Sequence, residues 1–188
     1  RQAAQRGLFK QSLFVLPLAE SSLERLGTTL PDGVIVGARG DHYFLHPENL
    51  SNAKLNGFVK KFKDKTGNYP IYSVYHMVQG IDGLVAAYQK AIKANKGQWP
   101  STEQVADAMH GLEFKGLTNS VKLREDGQGL EDQLLGITKK VPGYNFPTLE
   151  KIAIYPADII TTPVGQKSPD WVKTVKPDLI NSPRIRRF

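Results

Sequence analysis

Between Val74 and Ile92 the apolar residues Val74, Met77, Val78, Ile81, Leu84, Val85, Tyr88 and Ile92 recur at spacings of three and four, the period of one face of an α-helix. Ala86, Ala87 and Ala91 widen that stripe, which predicts a helix running to about Asn95 and buried over much of its circumference. The start of this helix differs from the rest. Tyr69-Pro70-Ile71-Tyr72-Ser73-Val74-Tyr75-His76 places three tyrosines, a serine and a histidine where backbone N–H groups lie unpaired and the helix dipole is positive. Such a place suits a small ligand that carries a carboxylate. A plainer reading stands beside it: tyrosines three apart also staple a helix against its neighbour, and a single helix histidine is ordinarily a surface residue.

The flanking segments read as an α/β chain. Ala3 to Phe9 has the form of a helix end closed at Gly7, as in a chain that begins inside a larger protein. Ser12-Leu13-Phe14-Val15-Leu16 and Val34-Ile35-Val36 are short apolar runs between turn residues, the pattern of strands buried on both faces in a parallel sheet. Pro17 to Glu20 leaves the first of these at its carboxyl end, where open α/β sheets form their ligand crevice, and Ser21 or Ser22 is placed to cap a short helix through Gly27. Gly37-Ala38-Arg39-Gly40-Asp41 reads as a flexible connection, and its Arg-Gly-Asp tripeptide as a chance match. A helix is predicted from Pro47 to about Lys65, with Leu50 in its apolar stripe, Asn49 or Ser51 as cap, Lys60, Lys63 and Lys65 on a solvated face, and Gly67 as its stop.

Ser101 with Gln104 has capping-box form and opens a short helix that buries Val105, Ala108, Met109 and Leu112. Ser120 to Arg124 alternates as a strand, and Gln133 to Val141 with Leu149 to Tyr155 predicts a hairpin. The proline-rich tail from Thr161 has no sustained period and is expected to lie across a surface, anchored at Trp171 and Phe188.

Several kinds of chemistry are excluded or unsupported. There are no cysteines, so disulfides, thiolate metal sites and a cysteine nucleophile are ruled out. The net charge of +7 comes from scattered lysines and arginines with no nucleic-acid motif, so nucleic acid is not expected as a partner. No apolar run approaches the ~18–20 residues of a membrane-spanning helix. Neither a G-x-S-x-G elbow nor a dinucleotide or phosphate-loop fingerprint occurs. His42 and His46 are four apart but in an extended stretch, His110 sits in a last helical turn, and Glu125-Asp126 and Glu131-Asp132 read as turn residues. No catalytic residue, metal ion or cofactor is therefore expected.

The order of these elements carries a resemblance. Asp32-Gly33-Val34-Ile35-Val36, then Phe58-Val59-Lys60-Lys61-Phe62-Lys63, Thr66-Gly67-Asn68-Tyr69-Pro70 and Gly80-Ile81-Asp82-Gly83-Leu84 come in sequence. Val105 to Gly116 and Val121-Lys122-Leu123-Arg124-Glu125-Asp126-Gly127-Gln128 follow. The series resembles the C-terminal half of type I periplasmic solute-binding proteins, the branched-chain amino-acid (leucine/isoleucine/valine-binding) receptors of ABC transporters, over about Ser12 to Ala157.

The resemblance implies an α/β, two-lobe fold with sheets flanked by helices, of which this chain supplies roughly the C-terminal half. Residues 1–37 would belong to the second lobe, 38–42 to a hinge crossover, 43–129 to the first lobe, 130–133 to a second crossover, and 134–188 to the return with the tail. It implies a periplasmic, non-enzymatic receptor whose partners are a small-molecule ligand, a membrane permease and the missing N-terminal half. Pro17, Leu18, Ala19 and Glu20 would form one wall of the ligand cleft, and Tyr72, Ser73, Tyr75 and His76 the facing wall. Leu18 and Ala19 depart from the amino-acid-binding pattern, where only Glu20 would meet an ammonium group, so an aromatic or other organic acid fits at least as well as an amino acid. The alternative implied by the same fold is a cytoplasmic ligand sensor.

Overall fold

In the computed structural model, which describes residues 2–48 and 51–188, the chain divides its elements between a larger mixed sheet and a helical layer that carries a smaller one. Helix α1 (Gln2–Gln5) is one turn long, and Gly7 after it takes φ 68°. The strand expected at Ser12–Leu16 contracts to β1 (Val15–Leu16). It is not buried on both faces: Val15 is 52% exposed, because β1 is a sheet edge and pairs only with β2 (Ile35–Ala38). A 3-10 turn at Ala19–Ser22 leads into α2 (Leu23–Leu26), where Ser22 takes the N-cap position but its Oγ accepts from the Arg25 guanidinium and caps no backbone N–H, and Ser21 Oγ donates to the Leu18 carbonyl.

Strand β2 continues through Gly37 and Ala38, so this part of the glycine-rich stretch is not a flexible connection. A Cβ at Gly37 would lie 2.7 Å from the Pro17 carbonyl oxygen and 2.9 Å from Leu135 Cδ2. Glycine here serves close approach between the sheet and the loop after β1.

Helix α3 (Ala53–Thr66) starts later than Pro47. Its cap is Asn52, whose Oδ1 accepts from the Leu55 N–H at 3.0 Å while Nδ2 donates to the Leu117 carbonyl at 2.7 Å. Of the expected caps, Asn49 lies outside the described residues, as does Leu50, and Ser51 Oγ donates to the Glu48 carbonyl. Lys63 does more than face solvent. Its Nζ lies 3.3 Å from Glu24 Oε1 and 4.0 Å above the Tyr69 ring.

Helix α4 (Tyr72–Ala94) has the expected extent but buries a different face. Tyr75, Gln79, Gly83, Ala87 and Ala91, four residues apart, point inward, whereas Met77 is 66% and Ile81 56% exposed, and Leu84 and Val85 are exposed with them. Small residues decide the phase. Gly83, Ala87 and Ala91 let α4 lie close to its neighbours, and Ala87 and Ala91 share a buried cluster with Val105 and Ala108 of α5 (Thr102–Met109) and with Leu112. The capping box is present: Ser101 Oγ accepts from the Gln104 N–H and Gln104 Oε1 accepts from the Ser101 N–H.

Beyond α5 the chain forms β3 (Glu113–Lys115), which the sequence did not signal, then β4 (Ser120–Leu123) and β5 (Gly129–Leu130), an antiparallel three-stranded sheet. It returns as the expected hairpin, β6 (Gln133–Lys139) and β7 (Thr148–Tyr155), with a register shift between Leu135 and Ile137. Helices α6 (Ala157–Ile160) and α7 (Ser168–Val172) precede β8 (Arg186–Arg187), which pairs with β7. The tail is thus anchored as an edge strand through buried Ile185, with Trp171 only partly buried and Phe188 exposed.

The larger sheet runs β1-β2-β6-β7-β8, with β1 and β2 parallel and the other pairs antiparallel. The result is the expected α/β architecture. One core extends from Val36, Leu134 and Ile154 of this sheet, with Val34 just before β2, to Tyr43 on the segment after β2 and Leu55, Val59 and Tyr75 of the helical layer. Among the described residues, no helix is long and apolar enough to cross a membrane.

Candidate functional site

Two polar constellations lie where the chain passes between the larger sheet and the helical layer. The first is at the start of α4. Ile71 occupies the N-cap in extended geometry and offers no side-chain bond, so the first-turn N–H groups need partners from elsewhere. Glu20, from the turn after β1, supplies one: its buried Oε2 accepts from the Tyr72 N–H at 3.1 Å. Burial pushes the Glu20 carboxyl up from 4.5 to about 7, against the opposing pull of the Tyr72 N–H. Glu24 Oε2, from α2, accepts from the Tyr69 N–H at 2.9 Å, so two acidic side chains clamp residues 69–72 to the turn after β1 and the short helix that follows it.

Tyr69 packs its ring 4.1 Å from that of Phe44, with Tyr144 and Phe146 completing an aromatic group. Tyr75 is fully buried and stacks on His42, the ring centroids 4.8 Å apart and the planes 13° from parallel. Burial raises its phenol well above the ordinary value, and the charge of Glu20 adds to this.

The second constellation centres on Glu131, which is not a simple turn residue. It stands where the chain returns from β5 to β6, directly against Gly40 on the outgoing crossover. A Cβ on Gly40 would fall 2.5 Å from Glu131 Oε1, and the backbone there has φ 86°, so both space and conformation require glycine. The two crossovers run side by side: the Gly40 carbonyl accepts from the Leu134 N–H at 2.9 Å, and the Gly40 N–H donates to Gln133 Oε1 at 3.1 Å.

Three side chains surround the Glu131 carboxylate. His42 Nδ1 lies 3.1 Å from Oε1, His76 Nε2 lies 3.1 Å from Oε2, and Gln79 Nε2 donates to Oε1 at 2.8 Å. Burial acting alone would raise this carboxyl, but His42, His76 and Gln79 outweigh it and bring the group down to about 2. Glu131 in turn raises His76.

Behind His42 sits Asp41, also buried, whose Oδ1 accepts from the Thr118 hydroxyl at 2.6 Å. Its carboxylate oxygens stand 3.9 Å from His42 Nε2 and 3.8 Å from His46 Nε2, so the Arg39-Gly40-Asp41 tripeptide is not displayed for adhesion. His46 Nδ1 accepts from the Glu48 N–H at 3.1 Å. A cleft of about 390 Å³ opens beside the cluster, lined by His76, Gln79, Leu84, Phe114, Leu123 and Glu131 among others.

The eight residues singled out from the sequence do not converge on one pocket. Glu20, Tyr72 and Tyr75 share one neighbourhood, with Glu20 capping the helix by its own carboxylate. Pro17 and Leu18 are exposed on the loop after β1, Ala19 is partly buried behind them, and Ser73 faces solvent. His76 turns to Glu131 instead. Sequence reasoning missed Glu131, Gln79, His42 and Asp41 as a group. The one available signal was that His76 and Gln79 are three apart, on one face of a helix.

A family model described as periplasmic binding protein matches residues 1–136. Among solved structures, a branched-chain amino-acid ABC-type transporter protein from Rhodopseudomonas palustris CGA009 is similar at 20% identity and a TM-score of 0.58, covering 82% of this chain and 37% of its own. A solute-binding protein of an ABC transporter from R. palustris BisB5, in complex with 3,4-dihydroxybenzoic acid, aligns at 21% identity and 0.55, covering 83% and 40%. Another from R. palustris HaA2, in complex with p-hydroxybenzoic acid, aligns at 16% and 0.56, covering 82% and 40%. At these identities the likeness is one of fold, and the chain spans about two fifths of the length of each. No curated protein matches it. The family match takes in β1, β2, the long helices, the smaller sheet and the start of β6, and on that ground the chain belongs to the periplasmic binding protein family.

Proposed function

We propose that this chain is the C-terminal part of a periplasmic solute-binding component of an ABC uptake transporter. Its ligand would be a small organic acid, an amino acid or an aromatic carboxylate, held between lobes that close about a hinge without chemical turnover. The observation that carries this reading is the pair of crossovers hydrogen-bonded side by side at Gly40, Gln133 and Leu134, with the α4 start and the cleft of about 390 Å³ next to them. In this reading residues 1–37 and 134–188 belong to one lobe, 43–129 to the other, and 38–42 with 130–133 form the hinge.

The shared core limits what can move. Separating Tyr43 and Tyr75 from the sheet would expose large buried side chains at roughly 1.5–3 kcal/mol each, so closure is confined to faces beyond that cluster. The exposed stripe of Met77, Ile81, Leu84 and Val85 is one such face, and the remainder of the protein would cover it. A membrane permease would be the partner of the closed form.

Titration calorimetry of the complete protein, with its first half present, against 3,4-dihydroxybenzoic acid, p-hydroxybenzoic acid and leucine tests the reading, with Tyr72→Ala and His76→Ala as variants. Saturable binding is expected for at least one compound, recovered unchanged afterwards, with weaker binding in both variants and little loss of fold. Unchanged affinity in both would overturn the assignment of the cleft wall.

A further inference from the structure

We propose that His42 Nδ1, His76 Nε2 and the Glu131 carboxylate form a binding site for a divalent transition-metal ion of the zinc class. The donors come from three separate elements, the outgoing crossover, α4 and the returning crossover, which no spacing motif reveals. The sequence-level expectation of no metal rests on such motifs alone.

The geometry is close to what a metal needs. The three donor atoms all lie within 4.8 Å of one another, and the two nitrogen-to-oxygen distances are 3.1 Å. A tetrahedral zinc ion with bonds of ~2.0–2.1 Å holds its donors about 3.3 Å apart. Each imidazole nitrogen already stands near that separation from one carboxylate oxygen, His42 Nδ1 from Oε1 and His76 Nε2 from Oε2, and the adjustment left, which draws the donors together from within 4.8 Å, falls on His76, whose side chain is partly exposed.

A second observation is independent of distance. His42 Nδ1 and His76 Nε2 are buried atoms that make no aligned hydrogen bond among the described residues, although each sits beside an acceptor oxygen. Buried polar atoms are ordinarily paired. His42 is completely buried, out of contact with bulk solvent. A metal ion between the two rings and the carboxylate satisfies both nitrogens at once.

With Nδ1 on the metal, the His42 proton sits on Nε2, on the side of the ring where the buried Asp41 carboxylate stands 3.9 Å away. Gln79 Nε2 keeps its own bond to Glu131 Oε1 at 2.8 Å, which holds the carboxylate in place. Two imidazoles and one carboxylate favour zinc, cobalt or nickel over calcium or magnesium. The cleft beside His76 and Glu131 leaves the fourth position open to water or a ligand oxygen.

The test is titration of the full chain with zinc chloride by calorimetry at about pH 7.5, where free imidazole is neutral, and with cobalt(II) followed by its visible absorption. One ion per chain is expected, with tetrahedral cobalt bands. His76→Ala, which removes a partly exposed side chain and leaves the core intact, is expected to weaken binding by at least about tenfold. Glu131→Gln is expected to weaken it too, and His110→Ala, the exposed histidine outside the cluster, to change nothing. Absence of saturable binding, an affinity unchanged in His76→Ala, or a loss produced by His110→Ala would overturn the assignment. The proposal does not depend on the solute-binding reading: the probe is the metal alone, and Tyr72→Ala leaves all three donors in place.

Discussion

Glu20→Gln tests whether the carboxylate under the start of α4 is a burden to the folded state near neutral pH. The carboxyl is 4% exposed, and burial carries it from 4.5 to about 7. A folded-state value above the unfolded one means that protonation is favoured by folding, so the associated stability is fully present below about pH 4.5 and is lost as pH rises through 7. At ~1.4 kcal/mol for each pH unit between the two values, the loss is about 3 kcal/mol. Glutamine keeps the shape and an oxygen to accept the Tyr72 N–H, but carries no charge. Urea denaturation of the full chain at a series of pH values is the assay. The two proteins should be about equally stable near pH 4, the variant should gain on the natural chain from there to pH 7, and the difference should then level off. A difference that stays constant with pH would refute the reasoning. So would a natural chain that gains on the variant as pH rises, because the Tyr72 N–H and the helix dipole would then outweigh desolvation.

Ser101→Ala removes one half of the capping box on α5 and should cost about 1 kcal/mol in the same assay. Gly37→Ala drives a Cβ against the Pro17 carbonyl and Leu135, and since one of these is backbone the sheet must shift, for a loss of about 1–3 kcal/mol read as a lower denaturation midpoint.

Periodicity and turn chemistry made the architecture legible where one local signal sufficed. The α4 span, the Ser101 box, the β6–β7 hairpin and the stop at Gly67 each rest on residues within a few positions of one another. The phase of α4 did not follow from its period. Large apolar residues form the obvious stripe, but a helix that packs close to its neighbours does so through its smallest residues, and Gly83, Ala87 and Ala91 carry little weight on a hydrophobicity count. The edge position of β1 was invisible for a related reason, since an apolar run looks the same with one neighbouring strand or two. In the candidate site, Glu20 and Tyr72 are 52 residues apart and Gln79 and Glu131 likewise, so their pairing belongs to the fold and to no motif.

The position of the Glu131 cluster links its chemistry to any motion of the chain. Glu131 and Gly40 lie on the two crossovers, whereas His76 and Gln79 ride on α4, and the cluster exists only while these parts stay within about one side-chain length. In the proposed receptor, a ligand or ion that takes donors from both sets would bind the assembled arrangement best and would shift the population toward it by that differential affinity. A contact with α4 alone, such as one to exposed Ser73, has no such leverage, because it is made equally well in either arrangement. In the proposed receptor, binding at the junction of the crossovers is the arrangement that would couple occupancy to shape, through side-chain shifts of His76 and Gln79 and not through separation of the shared core.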